Sequence, residues 1–172
     1  MLVRPARPAL SAPLYYFAYG SNMDPAQIRR RCPSARFVDI AYLADHRLAF
    51  TRRSGRRRSG VADVERCAGE TVWGIVYRLL SVRDIEVLDA AEGFEPGRRR
   101  AQRYVRETRI VGLGRARPTT ARPVAVNIYI ARRQKNPPPP TAAYIAQLAR
   151  GAAHWGLPED YRAMLAAIGR RG

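Results

Sequence analysis

Two stretches of the chain hold residue types that could do chemistry. The first is Tyr16-Phe17-Ala18-Tyr19-Gly20-Ser21-Asn22, where aromatic residues run straight into a small polar turn. A turn between a strand and a helix leaves backbone N–H groups without intrahelical partners. Gly20 would let a ligand come close to the main chain, and a helix N-terminus favours anions. The stretch reads as a cradle for a carboxylate or oxyanion, or else as an ordinary strand end, since Gly-Ser-Asn is common turn chemistry. The second stretch is Leu88-Asp89-Ala90-Ala91-Glu92-Gly93-Phe94. Glu92 falls at the C-terminal end of an expected helix, where the dipole disfavours negative charge. Partial burial beside Phe94 would raise its pKa. Those are the conditions for a general base or acid near neutral pH. The plainer reading is an exposed helix-end carboxylate. Asp89, three residues earlier, shares a helix face with Glu92.

The elements that must position these residues can be read from the pattern. Leu14 to Tyr19 is an aromatic strand. Asp24 as N-cap and Pro25 at the first helical position start a helix that Cys32-Pro33-Ser34 ends. Strands are expected at 35–43, 46–51, 60–64 and 71–79, with an arginine loop over 52–59 and a turn at Gly69-Glu70. Ser81 with Asp84 resembles a capping box, and Gly93 is a natural stop. Strands follow at 102–111 and 124–131. A run of four prolines, 137–140, is a stiff extended linker. Helices are expected over 141–151 and 160–168. Many short strands with no parallel βαβ alternation give an α+β domain with a small closed or nearly closed sheet. Residues 1–13 read as a loose N-terminal arm and 14–170 as one domain.

The chain has 172 residues and a net charge of +17. Lys135 is the only lysine, so a GC-rich coding bias toward arginine explains the composition as readily as function does. The clusters at 52–53, 56–58 and 98–100 are either solvated loops or contacts to an anion. Nucleic acid would need a recognition motif or a stacking platform, and neither is present. No apolar run reaches the roughly 20 residues of a membrane helix. Cys32, Cys67, His46 and His154 have no metal-ligand spacing. Two cysteines fit a reducing compartment, the cytoplasm.

Taken together, the motifs resemble the γ-glutamylcyclotransferase (AIG2-like) family. The resemblance rests on YFAYGSNM at 16–23, VWGIVY at 72–77, LDAAEG at 88–93 and the tail 137–168, in which a proline run and a helix precede GLPEDY. It extends over 14–168. It implies a small mixed or antiparallel β-barrel packed by α-helices. It also implies ring closure of a γ-glutamyl group to 5-oxoproline, with loss of the attached amine and with no cofactor or metal. Glu92 matches the catalytic glutamate. Tyr16, Phe17, Ala18, Tyr19, Gly20, Ser21 and Asn22 match the substrate-binding stretch, with Asn22 fixing the loop. Tyr129 matches a substrate contact, and Tyr104 a wall or hydrogen-bond donor. The partner expected is a small γ-glutamyl substrate, with an acidic leaving group or carrier protein suggested by the basic stretch at 97–100. Glutathione is the less favoured substrate. A homodimer is compatible, with Trp73 or Trp155 at its interface. The competing reading is a non-catalytic domain of the same fold that binds a small carboxylate or a protein, and Glu92 argues against it.

Overall fold

The computed structural model describes residues 13–97, 102–115 and 121–170. Five strands form a closed barrel in the order β1-β3-β2-β4-β5. They are β1 Leu14–Ala18, β2 Arg36–Ser54, β3 Ser59–Leu79, β4 Tyr104–Leu113 and β5 Arg122–Ala131. Closure is mixed: β1 runs antiparallel to β3 but parallel to β5, where Tyr16 meets Asn127. Four helices surround the barrel: α1 Pro25–Arg31, α2 Val82–Glu92, α3 Ala142–Trp155 and α4 Glu159–Gly169. The expected α+β barrel is what forms. The calls on residues 1–12 and 98–100 lie outside the described residues.

The strands differ from expectation in length. The segments 35–43 and 46–51 belong to one 19-residue strand, and 60–64 and 71–79 to one of 21 residues. What the sequence presents as breaks are bulges. Register shifts lie between Phe37 and Asp39, Ala44 and His46, and Phe50 and Arg52. At the second, Asp45 and Gly69 both take positive φ, and Asp45 Oδ1 accepts the Gly69 N–H at 2.9 Å. A bulge bends a strand without ending it, and so long a hairpin has to bend to close a barrel.

Local chemistry sets the pieces that hold the site. In α1, Asp24 accepts the Ala26 N–H and Pro25 opens the helix. In α2, Ser81 accepts the Arg83 N–H, and Gly93 closes the helix in the left-handed region. That stop fixes Glu92 as the last helical residue. In α3, Thr141 accepts the Tyr144 N–H at 3.3 Å. The proline run docks on the barrel, with the Gly60 N–H donating to the Pro139 carbonyl at 3.1 Å.

Two glycines let elements approach the site closely. A Cβ on Gly74 would sit 2.4 Å from the Ala18 carbonyl oxygen and 2.8 Å from the Phe17 ring, so β1 can lie where it does only against a bare backbone. A Cβ on Gly151 would sit 2.7 Å from the Met23 main chain. Helix α3 therefore rests directly on the turn after β1, and Trp155 donates its indole N–H to the Met23 carbonyl at 2.8 Å. Trp73 is buried against Tyr42 inside the fold.

Candidate active site

The turn after β1 is a single 3-10 turn, Ser21–Met23, closed by the Met23 N–H on the Gly20 carbonyl at 3.0 Å. The Gly20, Ser21 and Asn22 N–H groups precede that bond. Asn22 is buried and holds the turn together. Its Nδ2 donates to Tyr16 Oη at 2.8 Å, while its Oδ1 accepts from Gln27 at 2.8 Å and Arg31 at 2.9 Å. Its carbonyl accepts the Tyr77 hydroxyl at 3.2 Å. Gln27 also donates to Ser21 Oγ at 2.7 Å. Gln27 and Arg31 stand four apart on α1, so one helix face grips the turn.

This turn, the end of α2 and strands β3 to β5 enclose an inner chamber of about 40 Å³. Tyr16, Tyr19, Gly20, Ser21 and Asn22 line it, with Glu92, Tyr104 and Tyr129 and with Ala62 and Tyr144. Eight of the expected site residues thus come together across more than a hundred residues of chain. Phe17 and Ala18 are not among its walls. Both are fully buried in the core, with Phe17 against Gly74. A Cβ on Gly20 would lie 3.3 Å from Ala62 Cβ and 3.5 Å from Tyr144 Oη. Glycine there keeps the chamber open.

The chamber walls are tied down. Tyr129 donates to Asp89 Oδ1 at 2.7 Å, and Arg106 holds both Asp89 oxygens at 3.1 and 2.8 Å. The Tyr129 ring meets Tyr16 edge-on at 5.8 Å. Tyr19 donates to the Tyr129 carbonyl, and Tyr104 to the Ala62 carbonyl at 3.2 Å. Tyr144 Oη accepts the Ala62 N–H at 3.0 Å. The oxygens of Tyr16 and Tyr144 are engaged as acceptors, which leaves both hydroxyl protons for a ligand.

Burial pushes every tyrosine of the chamber upward. Tyr144 reaches about 12, and Tyr16, Tyr19, Tyr104 and Tyr129 go higher still. All five remain neutral donors near pH 7. Glu92 is also raised, chiefly by burial. The charges of Arg31, Arg103 and Arg57 pull it back toward ionisation. Its Oε1 lies 3.6 Å from Arg31 Nη1, and its side chain is 20% exposed. Glu92 is the one carboxylate among the described residues that line this chamber.

Glu92, Ser21, Tyr104 and Tyr144 are walls both of this chamber and of a wide outer cavity of about 690 Å³. Its lining includes Arg31, Arg52, Arg53, Arg56, Arg57 and Arg103. The arginine segment 52–59 is not simply a solvated loop. It is the tip of the β2–β3 hairpin, and Arg57 turns inward. Arg57 donates to Gln147 at 2.7 Å and Gln27 at 2.9 Å, and lies 5.1 Å from the Tyr144 ring centre. Sequence reasoning missed Gln27, Arg31, Arg57, Ala62 and Tyr144. The i, i+4 spacing of Gln27 and Arg31 just after the turn was the available signal. Among the described residues, no group of three or more His, Cys, Asp or Glu side chains is placed to hold a metal.

A closed barrel with one carboxylate at the throat of a tyrosine chamber has the construction of an acid–base site for a small molecule. The family model for γ-glutamyl cyclotransferase, AIG2-like, matches residues 16–146. The chain is 33% identical over 157 residues to a γ-glutamylcyclotransferase of Mus musculus, covering 89% of this chain and 77% of the mouse protein. It is 31% identical to the Homo sapiens γ-glutamylcyclotransferase over the same shares. Among solved structures, a γ-glutamyl cyclotransferase superposes with a TM-score of 0.79 at 28% identity, over 91% of this chain and 88% of that one. A glutathione-specific γ-glutamyl cyclotransferase from yeast shares the fold at a TM-score of 0.62 and 12% identity, over 94% and 97% of the two chains. The chain belongs to the γ-glutamyl cyclotransferase, AIG2-like family.

Proposed function

We propose that this protein converts a γ-glutamyl amine or amino acid into 5-oxoproline and the free amine. The observation that carries the reading is the position of Glu92, a carboxylate at the junction of a small tyrosine-walled chamber and a wide cavity. The glutamyl part enters the inner chamber. Its α-carboxylate meets the N–H groups of the Gly20–Asn22 turn. Its γ-carbonyl oxygen accepts a hydrogen bond from the tyrosine wall, where the Tyr16 and Tyr144 hydroxyls are free to donate. The chamber folds the substrate so that the α-amine faces the γ-carbon. Ring closure is unimolecular, and much of the catalysis lies in holding that bend.

The α-ammonium must lose its charge before it attacks. One proton goes to solvent, leaving the neutral amine that attacks, and Glu92 takes a second proton from this nitrogen as the new C–N bond forms. It returns a proton to the leaving nitrogen as the old C–N bond breaks. The products are a lactam and a free amine, and the reaction needs no oxidant. Tyr104, which donates to the Ala62 carbonyl, serves as wall; Tyr129, fixed by Asp89, places the ring that faces Tyr16. Among the described residues no helix is long and apolar enough to cross a membrane. The two free thiols suit the cytoplasm as the site of the reaction.

The test is 5-oxoproline release from a panel of γ-glutamyl dipeptides and γ-glutamyl amines by the purified chain. Release of 5-oxoproline and the amine in equal amounts is expected. If the protein binds these compounds but releases neither product, it is a binding domain of this fold and the proposal fails.

A further inference from the structure

The outer cavity has a charge imbalance that ring closure itself does not require. Seven arginines line it, Arg30 together with the six named above, and Glu92 is the only carboxylate among the described lining residues. Of the seven, only Arg31 pairs with a carboxylate among the described residues, and that carboxylate is Glu92 itself. The others fixed in place are held by neutral acceptors. Arg57 is bound by two glutamine oxygens, Arg52 by the Arg132 carbonyl at 2.8 Å, and Arg103 by the Ala91 carbonyl at 3.2 Å. The Arg52 Nε is buried without a partner among the described residues. Neutral acceptors orient a guanidinium but leave its charge uncompensated. Grouping such charges around one cavity costs self-repulsion. An anionic ligand relieves that cost, and guanidinium matches carboxylate or phosphate as a planar fork.

The geometry fixes which part of the substrate meets this wall. With the glutamyl part in the inner chamber and the scissile amide at Glu92, the leaving amine extends into the outer cavity. We infer that the preferred leaving amine carries at least two anionic groups, carboxylate or phosphate, which Arg57 and its neighbours bind. The inference rests on the proposed reaction, because that reaction orients the substrate. It is a statement about specificity, with the arginines acting on binding and Glu92 on chemistry.

The experiment uses pairs of unequal charge: γ-glutamyl-glutamate against γ-glutamyl-glutamine, which match in shape, and γ-glutamyl-O-phosphoserine against γ-glutamyl-serine. A kcat/KM ratio of about tenfold or more for the charged member is expected, carried by KM. The ratio should shrink at high salt, and Arg57→Gln and, separately, Arg53→Gln should move it toward one. The pair with the larger ratio tells carboxylate from phosphate. Ratios near one with an active enzyme overturn the inference and leave the cyclotransferase standing. Binding of the same pairs to Glu92→Gln, measured by calorimetry, separates the two claims. Tighter binding of the charged member without turnover in the wild type would sink the reaction and keep the anion site. Equal binding sinks the anion site.

Discussion

The inner chamber and the outer cavity meet at Glu92 but are built from opposite materials. The chamber is walled by tyrosines and a bonded turn. Tyr129 is fixed by Asp89, Asn22 by four partners, and Tyr104 and Tyr144 by the Ala62 main chain. The outer cavity is walled by long cationic side chains resting on neutral acceptors. The first construction fixes a shape, since satisfied buried networks are rigid. The second fixes a field, which acts over a distance and tolerates varied shapes. A shape suits the part of the substrate that must be bent the same way every time, while a field suits a leaving group recognised by its charge.

Breaking the shape should hurt every substrate alike. Gly20→Ala places a methyl 3.3 Å from Ala62 in a chamber of about 40 Å³. The expected loss of kcat/KM is about 10²-fold, with thermal stability nearly unchanged, as misplacement near reacting atoms would cause. Equal losses of activity and stability would mean that the methyl disturbs the fold instead. Asn22→Ala deprives Tyr16, Gln27 and Arg31 of a partner, and is expected to cost about 1–3 kcal/mol in denaturant unfolding. Tyr129→Phe leaves Asp89 to Arg106, and should cost about 1 kcal/mol. Its kcat/KM should fall by a similar factor for charged and neutral leaving groups. A loss confined to one class would place Tyr129 in the outer site.

Two smaller effects concern charge where the regions join. Glu92 is raised above its ordinary value of 4.5 by burial, and Arg31 opposes that rise. The acid limb of the pH–rate profile should therefore lie above the ordinary carboxylate range, and Arg31→Gln should move it higher. A limb that does not move would belong to another group. The same shift affects stability. A carboxyl raised in the folded state is more stable protonated, so its contribution is complete below 4.5 and is lost as pH rises through the folded pKa. Glu92→Gln should thus melt above the wild type near neutral pH, and the gap should close on acidification. This is a modest change in a melting curve, and a gap that widened toward acid would contradict the assigned direction.

Glu92 and Gly20 were legible as candidates because both are local features, a helix stop and a strand-to-helix turn. Asn22 stood out as a polar residue beside an aromatic run. The long hairpin was not legible, since Asp45 and Gly69 look like turn residues and only strand pairing shows that they form a bulge. Arg57 was one of an arginine cluster that read either as a solvated loop or as an anion contact. Its partners Gln27 and Gln147 are 30 and 90 residues away, and no local pattern announces them. Tyr144 falls inside an expected helix with no local feature to single it out, although its hydroxyl reaches the Ala62 main chain 82 residues back. Contacts closed by the barrel are set by topology, and topology is what one-dimensional pattern conveys least.

The central claim is that Glu92 moves the proton in ring closure. Its most direct test is the rate of 5-oxoproline release by Glu92→Gln beside the wild type, at saturating γ-glutamyl dipeptide, with circular dichroism confirming that both are folded. Glutamine keeps the size and the hydrogen bonding and cannot accept the proton. The account predicts a kcat lower by about 10²–10⁴-fold with substrate still bound. A folded Glu92→Gln protein that turns over at the wild-type rate would contradict it.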